Sequence, residues 1–166
     1  MPMKYLLILI LVLLHFKAAG QSVKFTNQNS RKVVFNQPYM IEEIKEFFKA
    51  TGKGVIRCNI RNENGNLIYI LSNVGYLSEL KKSPVSMYSI IEGNVILISS
   101  GIEPIIQTNS FFFNIVRPLV KHKIVDDLLP NGDPNPNAAP LVGFEPIYKT
   151  IFLKNGKIEK VENSYK

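Results

Sequence analysis

The sequence predicts a single α+β domain: an antiparallel sheet built from hairpins, with one or two helices packed on it. Two observations lead there. β-branched and aromatic runs repeatedly flank a glycine-containing turn, at Asn64-Gly65, Glu92-Gly93-Asn94 and Asn155-Gly156, and such turns join antiparallel neighbours. The strands also come in segregated runs rather than in strict alternation with helices, which argues against a parallel sheet.

Residues 1–20 stand apart from that domain. Met1-Pro2-Met3-Lys4 is a short positive segment, Tyr5 to Phe16 is an apolar run, and Ala18-Ala19-Gly20 supplies small residues where a signal peptidase reads. The run is shorter than the roughly 18 to 20 residues that span a bilayer. Cleavage before Gln21 is therefore expected, with a secreted or periplasmic location and no transmembrane segment in the mature chain. Residues 21–166 then form one domain, large enough to bury a core without disulfide staples. The lone cysteine fits this: Cys58 alternates with Ile56 and Ile60 and reads as a small buried hydrophobe rather than a nucleophile.

Within the domain, Val23 and Phe25 alternate, a polar stretch follows, and Val33-Val34-Phe35 comes next. The pattern is open to two short strands or to one strand and an arm. Pro38 opens a helix that Gly52 stops, because proline suits a first turn and glycine a C-terminal cap. Met40, Ile41, Ile44, Phe47 and Phe48 make its apolar stripe, leaving Glu42, Lys45, Glu46 and Lys49 on a solvated face with weak helical ion pairs.

The hairpin from Val55 to Val74 takes its register from Asn64-Gly65, with Glu63 facing Asn66. Counting outward places Ile56, Cys58, Ile60, Leu67, Tyr69 and Leu71 on the core face, and Val55, Arg57, Asn59, Arg61, Ile68 and Ile70 on the other. Tyr76 to Ser83 is a helical turn or a loop. In the next hairpin the central pair is Glu92-Gly93 or Gly93-Asn94. Either choice sets Val85, Met87, Ile91, Ile96 and Ile98 on one side and Tyr88, Ile90, Val95 and Leu97 on the other. A strand apolar on both faces, as residues 95–98 are, belongs inside a sheet covered on both sides.

Thr108 reads as a helix cap ahead of an apolar segment interrupted by Pro118. Either a kinked helix runs from about Asn109 to Leu129, or a short element ends near Arg117 and a new helix begins at Pro118, with Val120, Ile124, Val125 and Leu128 at helical spacing. Residues 109–117 are open to helix or strand. Residues 130–146, rich in proline and asparagine, form a surface loop. A last hairpin around Asn155-Gly156 ends in a charged strand suited to a sheet edge.

Catalytic patterns are scarce. His122 lies between Lys121 and Lys123, which makes it a poor base, and as the lone histidine of residues 21–166, with the lone cysteine far away at Cys58, it does not read as a metal site. Asp133-Pro-Asn135-Pro-Asn137 opens like a calcium loop but has Ala138 in place of the glycine such a turn needs and Phe144 in place of the closing glutamate. No metal and no cofactor are expected. The net charge of +7 includes Lys4 and Lys17 of the presumed signal and leaves the mature domain basic. It suits an acidic protein or an anionic envelope component as partner, whereas export argues against nucleic acid.

The least ordinary feature is the outer face of the Val55–Val74 hairpin, where Arg57 and Arg61 project beside Ile68 and Ile70. Arginine next to apolar surface is a usual composition for a binding patch, although a helix or the N-terminal arm could cover the isoleucines. The leading expectation is an exported, non-catalytic binding or envelope-accessory protein that uses Arg57, Arg61, Ile68 and Ile70. The runner-up is a small secreted hydrolase working with a carboxylate pair.

Overall fold

The computed structural model describes residues 23–27, 31–52, 54–82, 85–100, 111–138 and 144–165. The presumed signal segment and the Thr108 cap lie outside these. The element order is β1 (Val23–Asn27), β2 (Lys32–Phe35), α1 (Pro38–Thr51), β3 (Val55–Glu63), β4 (Asn66–Asn73), α2 (Leu77–Lys82), β5 (Met87–Ile91) and β6 (Asn94–Ser100). A π-helical segment (Phe112–Val116), α3 (Arg117–Val120), β7 (Tyr148–Lys154) and β8 (Lys157–Asn163) follow. All eight strands join one sheet in the order β1-β2-β5-β6-β3-β4-β7-β8.

The domain is α+β and built from hairpins, as its turns predict. Asn64-Gly65, Glu92-Gly93 and Asn155-Gly156 each place both central residues at positive φ, the conformation that matches the twist of two flanking strands. Glu63 faces Asn66, Ile91 faces Asn94 and Lys154 faces Lys157, so Glu92-Gly93 is the central pair of the second hairpin. The N-terminal segment forms two strands, with Val23 opposite Phe35.

The sheet is mixed rather than wholly antiparallel. Hairpins meet side by side at three seams: β3 against β6 and β2 against β5 are parallel, and β4 against β7 is antiparallel. The first follows from the long β4-to-β5 connection. It carries the chain across the sheet before the second hairpin starts, and crossovers of this kind bring parallel strands together.

Layers cover both faces, as the two-sided apolar strand β6 requires. On one face α1 buries Met40, Ile44, Phe47 and Phe48 against Ile56, Cys58, Ile60, Tyr69, Leu71, Ile96, Ile98, Ile151 and Leu153. Gly52 ends this helix at φ 58°, with its N–H donating to the Phe48 carbonyl, a left-handed cap that favours glycine. On the other face Leu77 and Leu80 of α2, with Phe111, Phe112, Val116, Val120 and Leu128, pack on Val55, Val95 and Leu97. Val85 joins this second core instead of sharing a side with Met87. It precedes β5, so strand alternation does not govern it.

Among the described residues, helical structure in the apolar segment runs from Phe111 to Val120. The π-helical segment ends at Val116 and α3 follows with Pro118 in its first turn, as the second sequence reading has it. α3 stops at Val120 instead of continuing through Ile124, Val125 and Leu128, and no helix reaches Leu129. Pro118 has no N–H to give the Asn114 carbonyl. The turn before it is wide, and the Arg117 N–H donates to the Phe112 carbonyl instead. The chain then folds back. The Arg117 guanidinium grips both carboxylate oxygens of Asp126 and donates to the carbonyls of Leu128 and Leu129, while the Val125 N–H donates to the Gly75 carbonyl. Ile124, Val125 and Leu128 sit in that return segment.

α1 also differs from its sequence pattern. Glu42 pairs with Lys45, but Glu43 and Glu46 both reach Lys149 on β7. Lys149 continues the inward series of Ile151 and Leu153 and is fully buried, so part of the face read as solvated carries a helix-to-sheet ion cluster.

Candidate functional site

On the same face as the second covering layer, a pocket of about 270 Å³ opens along β3 from Arg57 to Arg61. Its floor follows the sheet register: Arg57, Ser72 and Tyr148 form one row across β3, β4 and β7, and Asn59 and Ile70 lie in the next. Arg61 lies further along β3, and Glu79, Phe144 and Pro146 complete the lining with Asn73.

Each wall is held by identifiable bonds. The Asn73 side-chain amide donates to the Glu145 carbonyl at 2.9 Å and its oxygen accepts the Ile147 N–H at 3.0 Å, pinning the strap that carries Phe144 and Pro146. Phe144 also meets the Tyr76 ring edge-on, with centroids 6.5 Å apart. Tyr148 is held by an exchange with Ser164, whose N–H donates to the Tyr148 carbonyl and whose hydroxyl accepts the Tyr148 N–H. α2 is tethered through Asp127, which accepts both the N–H and the hydroxyl of Ser78, and through the Leu77 N–H on the Val125 carbonyl.

Electrostatically the pocket opposes two guanidiniums to one carboxylate. Burial lowers the pKa of half-buried Arg57 below its ordinary value, with the Glu79 carboxylate and then Tyr148 acting the other way. Burial raises the pKa of Glu79, while the backbone N–H groups of Gly75 and Tyr76 and the charge of Arg57 pull it down. Neither Arg57 nor Arg61 makes a hydrogen bond or an ion pair of 4 Å or less to a described residue. Asn59 donates to the Ser99 hydroxyl at 3.2 Å, and its own oxygen is buried without a partner among the described residues.

Of the four residues singled out by sequence, Arg57, Arg61 and Ile70 line this pocket. Ile68 does not. It is 8% exposed, with Arg61 and Phe152 as its cross-strand neighbours, and long side chains in those positions can cover an apolar residue between them. Sequence reasoning missed Glu79, Asn73, Phe144, Pro146 and Tyr148, which come from segments far apart in the chain. Only the outward parity of Ser72 with Ile70 was readable.

His122 and Cys58 do not line the pocket. His122 is exposed in the turn after α3, and Cys58 lies on the opposite face of β3, where burial pushes its thiol pKa up to about 12. Among the described residues no group of three or more histidine, cysteine or carboxylate side chains could hold a metal ion, and no helix is long and apolar enough to cross a membrane.

Fold and site together define a class: a hairpin-built α+β domain with an arginine-bearing pocket on its sheet. Comparisons with protein-family models, with curated proteins and with solved structures each find no match to this chain.

Proposed function

We propose that this is an exported, non-catalytic binding protein that takes up an anionic group in the pocket lined by Arg57 and Arg61. The group belongs to a free small molecule or is displayed by an acidic protein or an envelope component. The observation that carries this reading is that two arginines, without hydrogen-bond or ion-pair partners among the described residues, line one pocket with Ile70, Phe144 and Pro146. Arginine is suited to such a place because its planar fork binds carboxylate or phosphate in bidentate fashion while its stem lies on apolar surface.

A hydrolase of the paired-carboxylate kind needs a second acid about 5 to 9.5 Å from the first. Glu79 is the only carboxylate lining the pocket among the described residues. The neighbouring Asp127, whose charge raises the Glu79 pKa, lies outside the lining and is bound by Ser78. This arrangement favours binding over catalysis.

The test is a thermal-stability screen against organic carboxylates, inorganic phosphate, acidic peptides and sulfated polymers, run on the protein and on R57A/R61A. Ligands that stabilise the protein and lose their effect on the folded double variant support the reading. A screen in which every hit acts equally on both proteins overturns it. Export is checked separately: mass spectrometry of the natural protein is expected to find a chain starting at or near Gln21, and intact Met1 in a membrane fraction refutes cleavage.

A further inference from the structure

The pocket's size, charge and layout narrow the anion to one chemical class, an inference that rests on the binding role proposed above. At about 270 Å³ the space sits just under the range of roughly 300 to 1,000 Å³ usual for small-molecule sites. It fits a small molecule rather than a protein surface. Its charged lining residues are Arg57, Arg61 and Glu79, a balance of one positive charge, which matches a monoanion. The charges are also segregated. The arginines stand on β3, whereas Ile70, Phe144, Pro146 and Tyr148 stand on β4, the strap and β7.

Arg57 is the group most in need of a partner. It is half-buried, and Glu79, the acid that attracts it, is held instead by the N–H groups of Gly75 and Tyr76. A ligand carboxylate can give Arg57 the bidentate contact that Glu79 does not make, and Glu79 then acts as an internal competitor for that charge.

We infer that the pocket takes a small organic monoanion with two ends: a carboxylate seated on Arg57, and an aromatic or branched aliphatic body against Ile70, Phe144, Pro146 and Tyr148. Arg61, exposed further along the strand, guides the anion in.

Isothermal titration with three probes tests this: 3-phenylpropionate, its neutral amide, and inorganic phosphate. Phenylpropionate is expected to bind, and the amide and phosphate each to bind at least roughly tenfold more weakly, since each lacks one of the two ends. R57A is expected to weaken phenylpropionate by roughly tenfold or more, and R57K by less, because lysine keeps the charge but loses the fork. E79Q is expected to tighten binding roughly threefold or more, since the competing charge is gone while an amide oxygen can still accept a backbone N–H. A gain of affinity is not what a damaged fold produces.

The inference is overturned if the amide binds as tightly as the acid, if phosphate binds more tightly than either, if E79Q leaves affinity unchanged or lower, or if no probe binds. If phosphate or an acidic polymer instead binds in an Arg57-dependent and Arg61-dependent way, this inference falls and the broader binding role stands. If no anion depends on the arginines, both fall.

Discussion

Lys149 gives the sharpest test of what holds α1 to the sheet. Its side chain is fully buried, and its ammonium contacts Glu43 Oε2 at 2.5 Å, Glu46 Oε2, and the Glu43 carbonyl at 3.3 Å. The carboxylates keep contact with water, with side-chain exposures of 25% for Glu43 and 65% for Glu46. The cluster is therefore asymmetric. K149M removes the cluster's one fully buried charge, leaves both acids free to hydrate and keeps an apolar stem, so it is expected to cost about 1 kcal/mol or less, in line with replacements of buried ion pairs by hydrophobes.

E43A/E46A does the reverse and strands an ammonium in the core, for which a loss of about 3–5 kcal/mol is expected. An upper bound comes from deprotonation. With an unfolded pKa near 10.4, shedding the proton at pH 7 costs about 5 kcal/mol, at roughly 1.4 kcal/mol per pH unit. The deficit should then shrink by up to about 1.4 kcal/mol for each pH unit above 7, because the unfolded variant binds the proton that the folded one has released. Urea unfolding followed by circular dichroism at pH 7 and pH 9 measures both effects. A double variant that loses under about 1 kcal/mol, a loss independent of pH, or a K149M as damaged as E43A/E46A refutes the reasoning.

In the unmodified protein the signs differ. The Lys149 hydrogen bond lowers the pKa of Glu46 from 4.5, so that contribution is present above 4.5 and is lost as pH falls through the depressed value. Burial opposes the charge on Lys149, yet Glu43 and Glu46 leave its pKa raised from 10.5, so its contribution is full below 10.5 and fades at higher pH. Thermal midpoints measured across pH should show a plateau between those limits. Cys58, buried with its thiol pKa up at about 12, is expected to react with a thiol reagent only after unfolding, and rapid labelling of the native protein contradicts the strand faces given above. Gly132 has a φ of 88°, and an added Cβ would lie 2.6 Å from Phe113 Cζ. G132A is therefore expected to destabilise by about 2 kcal/mol or more in a urea titration, and a neutral effect shows that the Phe113 ring moves aside freely.

The sequence by itself determined the local geometry. Turn chemistry at Asn64-Gly65 dictated register, and register dictated that Ile56, Cys58 and Ile60 face one way and Arg57, Asn59 and Arg61 the other. Apolar character on both sides of β6 was enough to require two covering layers. These features are legible because each depends on neighbours a few residues away, or on a period of two.

What only the tertiary structure decided is which distant segments meet. The parallel seam between β3 and β6 depends on where the β4-to-β5 connection crosses, and the end of helix at Val120 on Arg117 gripping Asp126. Lys149 carries the inward parity of its strand, but its partners on α1 lie more than a hundred residues away. The pocket likewise depends on distant segments, with Glu79 of α2 brought beside Arg57 and Asn73 tying down the strap that bears Phe144 and Pro146. Such contacts are won by the packing of the whole domain, where burial and hydrogen-bond satisfaction override local preference, so no local pattern in the chain encodes them.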